Sequence, residues 1–307
     1  MNVEVSSAPC SFGVWETNVE EGVHPEPAQF VRLVRECGYE GTELGPPGYL
    51  GSGETVARLL QEADLQLAGS FLMFRLSRED EFREDLAALD GALAELRLAA
   101  GDNELPIVLL ADAFGAEPDR MQYAGAIEQH PEAWLSAERS KLLVANLQRT
   151  AYRCRELGFT CSLHPEYGSY VETEREITSV FEAIDPDLLG LCFDTGNIAI
   201  GGSRPAELLK QYMPVVNHVH LKDLDLGLLA KVQDNGQGVE SAWDAGVFCE
   251  IGSGDAQIAE CLEELERAGY EGWLVVEHER PLVEGWALED AVAAQRANRA
   301  WLADWGV

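Results

Sequence analysis

Thr160-Cys-Ser-Leu-His164, Gly190-Leu-Cys-Phe-Asp194 and Val215-Val-Asn-His-Val-His-Leu221 are short, mostly apolar runs, and each carries a residue able to do chemistry at or near its end. Longer, amphipathic stretches separate them, and such alternation is the mark of a parallel sheet wrapped by helices. Working outward, the pattern gives strands at 11–15, 41–44, 66–71, 106–110, 160–164, 190–194, 215–221 and 274–277. Eight is the number that closes such a sheet on itself, so the expected fold is an α/β (β/α)8 TIM barrel.

Apolar spacings of three and four predict helices at 27–36, 78–100, 136–156 and 256–268. Thr173 followed three residues later by Glu176 reads as a capping box, and Gly38, Gly158 and Gly269 sit where a helix must stop before the next strand. Cys37-Gly-Tyr-Glu-Gly-Thr-Glu-Leu and Ala268-Gly-Tyr-Glu-Gly-Trp-Leu echo one another as helix-end, turn and strand joints. Two connections, 112–134 and 223–253, exceed ordinary loop lengths and follow the fourth and seventh strands, which in a barrel places them over the catalytic face. No Gly/Ser-rich or Pro-rich linker interrupts the 307 residues, so residues 1–307 are expected to form a single domain.

A formal charge of −32 argues against nucleic acid and anionic lipid as partners. Seven scattered cysteines without a C-x-x-C pair argue against a disulfide framework or zinc knuckle and read as buried thiols in a reducing compartment. The amino terminus has no basic stretch leading into an apolar run, and no apolar segment approaches the roughly 18 residues a membrane span needs, so a cytoplasmic protein is expected.

The carboxyl ends of the strands carry Trp15, Glu16, Glu43, Phe71, Asp112, His164, Glu166, Asp194, His220, Lys222, Glu277, His278 and Glu279. One acid at a strand end is usually a solvated cap or an ion pair. A ring of them with a histidine suits a hard divalent cation, which takes carboxylate oxygens and, for manganese or cobalt, imidazole nitrogen. In 217–223 the side chains alternate, so His218, His220 and Lys222 share one side of their strand. The deeper His218 reads as a core histidine, His220 as the ligand, and Lys222 as a cation that could neutralise an enolate. Asp194-Thr-Gly alone also occurs in aspartic proteases, but those need two such carboxylates and only one copy is present. Trp15, Phe71, Phe74, Trp134 and Trp243 could wall a sugar face or serve ordinary packing.

Gly38-Tyr-Glu-Gly-Thr-Glu-Leu-Gly-Pro46, His164-Pro165, Val171-Glu-Thr173, Asp194-Thr-Gly196, His220-Leu-Lys-Asp223 and Gly269-Tyr-Glu-Gly-Trp-Leu-Val-Val-Glu277 together resemble the inosose dehydratase branch of the xylose-isomerase-like sugar phosphate isomerase/epimerase superfamily, in order along most of the chain. The resemblance implies a divalent metal, Mn²⁺ first, with Co²⁺, Mg²⁺ or Zn²⁺ as alternatives. Asp194, His220 and Glu277 would hold it, with Glu172 of the Val-Glu-Thr motif as fourth ligand, although His164 and Glu166 lie nearer the strand end. It further implies a small polyhydroxylated keto substrate. Glu277 or Glu172 would serve as the base, Lys222 would steady the enolate, and His164 or Glu166 would be the proton donor. Glu43, Trp15, Phe71, Glu166 and Asn197 would line the substrate site. Two positions depart from the branch's habit: Glu166 stands where His-Pro-His is usual, and Asn197 where a histidine commonly follows Asp-Thr-Gly.

The expected reaction is thus dehydration of a keto-inositol or related keto-sugar. An isomerase, an epimerase or an enzyme cleaving keto-glycosides by elimination could use the same site, and a non-catalytic sugar-binding barrel is the alternative from another class. The tail 301–307 is apolar enough to dock on its own chain or to pair in a homo-oligomer.

Overall fold

The structure is a computed structural model that describes residues 1–15, 18–19, 23–113, 117–185, 187–235 and 240–307. Its strands are β1 (Asn2–Ser7), β2 (Gly41–Glu43), β3 (Gln66–Phe74), β4 (Ile107–Asp112), β5 (Cys161–Leu163), β6 (Gly190–Asp194), β7 (Val216–Leu224), β8 (Phe248–Cys249) and β9 (Glu271–Glu277). Eight of them run parallel in the closed order β1 to β7 and then β9, which pairs back onto β1 from Asn2 opposite Glu271 to Ser7 opposite Val276. The two-residue β8 lies antiparallel on the end of β7, outside the ring. The molecule is a (β/α)8 barrel.

The first strand lies earlier than the sequence pattern suggests. Residues 11–15 form no strand: Pro9–Phe12 is one 3-10 turn, for which Pro9 is preset in φ and needs no amide partner. The true strand Asn2–Ser7 ends on two serines that do not look like core, yet both are buried, and Ser7 Oγ donates to the Val276 carbonyl of the closing strand at 3.2 Å.

Helices Pro27–Glu36, Glu79–Ala100, Ala137–Glu156 and Ile258–Ala268 pack outside the ring where periodicity predicts them. The Thr173–Glu176 capping box is formed and opens the helix Glu174–Phe181. Gly269 closes its helix with φ 68°, a left-handed turn that a side chain would strain. The connection after β4 contains the short helix Pro118–Gln122 and two 3-10 turns, and the one after β7 contains Leu226–Asp234, Glu240–Ala245 and β8. Among the described residues no helix is long and apolar enough to cross a membrane. Five cysteines are buried as expected, while Cys10 and Cys249 are half-buried.

Candidate active site

The C-terminal ends of β5, β6, β7 and β9 bring His164, Asp194, His220, Lys222 and Glu277 to one point, all buried. His220 Nδ1 stands 3.4 Å from Glu277 Oε2, 3.7 Å from Asp194 Oδ2 and 3.3 Å from His164 Nε2. His164 Nε2 is 3.8 Å from Asp194 Oδ2. Lys222 Nζ ion-pairs with Asp194 Oδ2 at 3.0 Å, Glu277 Oε2 at 2.8 Å and Glu279 Oε1 at 2.7 Å.

Local sequence explains this convergence. Asp194 Oδ1 accepts the Asn197 N–H and caps the helix Thr195–Ile200, which leaves Oδ2 aimed at the cluster. Thr195 Oγ1 donates to the Lys222 carbonyl and accepts the Lys222 N–H, tying β6 to β7. Gly196 leaves room for the Lys222 stem: an added Cβ would lie 2.7 Å from Lys222 Cγ and 2.8 Å from Cδ. Gly196→Ala should therefore cost roughly 1–3 kcal/mol in urea unfolding, because backbone and a buried stem must part. An unchanged unfolding midpoint would contradict this packing.

Behind the cluster, Glu43 Oε1 sits 2.9 Å from both His218 Nε2 and His220 Nε2. Against the cost of burial, His220 and His218 hold the Glu43 carboxyl well below the usual carboxylate range. A carboxylate on the far nitrogen fixes the His220 ring and leaves Nδ1 to face the cluster. Burial, with the neighbouring His220, drops His164 to about 3, a neutral imidazole with a free lone pair.

Asp194, His220 and Glu277 offer ligand atoms within 4.8 Å of one another, and the buried Asp194 Oδ2 accepts no well-aligned hydrogen bond. Two carboxylates with two imidazoles make a donor set that fits Mn²⁺, Co²⁺ or Zn²⁺. Opposite it lies a cavity of about 150 Å³ walled by Trp15, Phe71, Tyr167 and Trp243, with Cys10 and Glu166 also facing it. A wider hollow of about 730 Å³ lies elsewhere, between the β4 loop and the helix Glu174–Phe181, but no group of metal-type ligands converges there among the described residues.

Some expected site residues lie elsewhere. Glu172 does not reach the cluster: its two oxygens accept the Gly125 N–H at 2.8 Å and the Gly168 N–H at 2.7 Å, bracing the β4 and β5 loops together. Asn197 stands behind the cavity wall, donating to the Pro165 carbonyl and to Glu166 Oε2. Glu16 falls outside the described residues. Phe74 packs on Phe82, and Trp134 lies under Arg175, so neither joins the aromatic wall. In the sequence Glu279 is visible only as a rim acid, Tyr167 only as the neighbour of Glu166, and Cys10 only as one of seven scattered thiols. Tyr167 O–H and Trp243 Nε1–H both donate to Glu279 Oε2, at 2.9 and 2.6 Å, and Cys10 Sγ donates to Glu277 Oε1 at 3.7 Å.

Two buried carboxyls are braces outside the cluster. Asp112 accepts the Leu76 and Tyr170 N–H groups, and burial raises both Asp112 and Glu172 to about 7, from 3.8 and 4.5. The folded chain then holds more protons than the unfolded chain between these values, so each carboxyl makes stability fall as pH rises from about 4 to 7. Denaturant unfolding of Glu172→Gln should show a shallower decline across that window than the parent, by roughly 3 kcal/mol. A parallel decline in both would remove Glu172 as the cause.

The family model for xylose isomerase-like TIM barrels matches residues 31–305. The chain belongs to that family. An inosose dehydratase of Geobacillus kaustophilus is 29% identical over 84% of this chain and 82% of its own length. Among solved structures, the IolI protein with a bound zinc atom superposes with a TM-score of 0.68 at 17% identity, covering 96% of each chain. The Escherichia coli 3-keto-D-glucoside 4-epimerase YcjR, in its apo form, gives 0.65 at 17% identity over 99% of this chain and 100% of its own. At such identities these two structures speak for the shared fold of the family.

Proposed function

We propose that this family member is a metal-dependent lyase that dehydrates a keto-inositol or a closely related keto-sugar through an enolate. The observation that carries the reading is the convergence of His164, Asp194, His220 and Glu277 beside a small cavity that is also lined by the Lys222 ammonium and by the further acids Glu43, Glu166 and Glu279. Relatives named inosose dehydratase support it. Those four residues would hold the cation, Mn²⁺ first, whose chemistry when bound is Lewis-acid polarisation of a ketone and acidification of the neighbouring C–H.

The chain's own groups supply the rest. Glu277 at the cavity wall takes the proton. Lys222 remains charged, because Asp194, Glu277 and Glu279 outweigh the burial that would strip its proton, and it steadies the enolate oxygen. Burial pushes the Glu166 carboxyl well above the usual range, so Glu166, held by Asn197, carries the proton that the leaving hydroxyl needs. That neutral acid favours elimination over simple return of the proton, which would make the same site an isomerase or epimerase. His164, a neutral imidazole, is better suited to ligation than to donation.

The test is elemental mass spectrometry of the purified chain and an assay with scyllo-inosose after loading with Mn²⁺ or Co²⁺. About one divalent cation per chain and a metal-dependent diketone product are expected. A metal-loaded protein that only isomerises or epimerises keto-sugars would replace the lyase reading, and a chain that binds no cation would end it.

A further inference from the structure

The Lys222 ammonium stands against the oxygens that a cation would need. Asp194 Oδ2 and Glu277 Oε2 both face His220 Nδ1, and Lys222 Nζ lies 3.0 and 2.8 Å from them. Its stem is buried and shaped by Gly196, so the head can shift only among the carboxylates around it. The third of these is Glu279, 2.7 Å away, which groups with Cys10 and Glu277 but not with Asp194 or His220.

Glu279 is itself held in place. Its Oε2 accepts Tyr167 O–H from the loop after β5 and Trp243 Nε1–H from the helix Glu240–Ala245 after β7, while Oε1 takes Lys222. Two neutral donors fix the carboxylate from the other side, so Glu279 stays in reach of the ammonium that it shares with the Asp194–Glu277 pair. Unit charges at about 4 Å interact strongly enough in a partly desolvated site to change an equilibrium by tenfold or more.

We propose that Glu279 is a positioning residue that sets the divalent-cation affinity of the site by giving the Lys222 ammonium, which the three carboxylates share, a partner to keep when a cation takes Asp194 and Glu277. This rests on the metal reading given above, but not on the identity of the substrate. Three residues from three parts of the chain thereby act on the metal through one lysine. Loss of Glu279 leaves the ammonium to the two ligand carboxylates, where it competes with the cation. Loss of Lys222 removes the competitor and makes Glu279 nearly irrelevant to metal uptake.

The experiment is a double-mutant cycle read by isothermal titration of Mn²⁺ into metal-stripped full-length protein, without substrate. Glu279→Gln should weaken binding by about tenfold, and Lys222→Met should tighten it by a similar factor. In the Lys222→Met background, Glu279→Gln should change the affinity by less than about threefold. Equal weakening in both backgrounds would overturn the proposal, because Glu279 would then act only as one more negative charge or as a structural support. Should Glu279→Gln fail to fold, Tyr167→Phe with Trp243→Phe frees the carboxylate while leaving every charge in place; weaker Mn²⁺ binding supports the proposal and unchanged binding overturns it. A wild-type chain that takes up Mn²⁺ but leaves inosose untouched removes only the substrate assignment, whereas one that takes up no Mn²⁺ ends both readings.

Discussion

Asp194→Asn should leave the barrel folded and the purified protein almost free of metal. The substitution is nearly isosteric, and the retained oxygen can still accept the Asn197 N–H that caps the helix Thr195–Ile200. What it removes is the negative charge at Oδ2, a buried oxygen that accepts no well-aligned hydrogen bond. Lys222 keeps Glu277 and Glu279, so no bare ammonium is left buried. Metal content is expected to fall to about a tenth of the parent's or less, and kcat/KM on the dehydration substrate by about a thousandfold, since polarisation of a ketone supplies several kcal/mol of transition-state stabilisation. Elemental analysis beside circular dichroism separates this from unfolding. Full metal content in a folded Asp194→Asn protein would remove Asp194 from the ligand set.

The second large effect is expected at Glu43, which need not touch the cation. Glu43→Gln keeps the shape but trades the charged acceptor shared by His218 and His220 for a neutral amide. Loss of such a partner behind a metal-binding imidazole costs about 10–100-fold in metal affinity, through ring orientation and weaker basicity at the ligating nitrogen. Mn²⁺ titration checks this, and an unaltered dissociation constant would mean that the His220 ring is fixed by packing alone. Gly69 belongs to the same arrangement, because a Cβ there would lie 2.8 Å from Glu43 Oε1.

Strand β6 was legible to the residue, because a run of small and apolar side chains ending on Asp194 has few other readings. The barrel followed from counting such runs. β1 was misplaced because its buried end is made of Ser6 and Ser7, whose hydroxyls look like surface until the closing strand is known to lie beside them. Asp194, His220 and Lys222 could be read at the site because a strand fixes which face a side chain takes. Glu172 could not: it lies on a loop, where sequence gives no direction, and its carboxylate turns back onto two backbone amides. Asn197 was legible as a neighbour of Asp194 but not as the residue that holds Glu166. Tyr167 and Trp243 come from two different loops, and only the fold shows that both meet Glu279.

The pairing of β1 with β9 joins residues 2–7 to residues 271–276, more than 260 positions away. During synthesis β1 must therefore wait, with one row of amides and carbonyls unpaired, until residues 271–277 have been made. Contacts so distant in sequence form late, and an open strand edge invites other chains in the meantime. Glu277 rides on that last strand, so ring closure and completion of the ligand set are one event. A chain stopped at residue 270 should aggregate through its open edge and retain no divalent cation, and a soluble, metal-binding fragment of that length would refute this order of assembly.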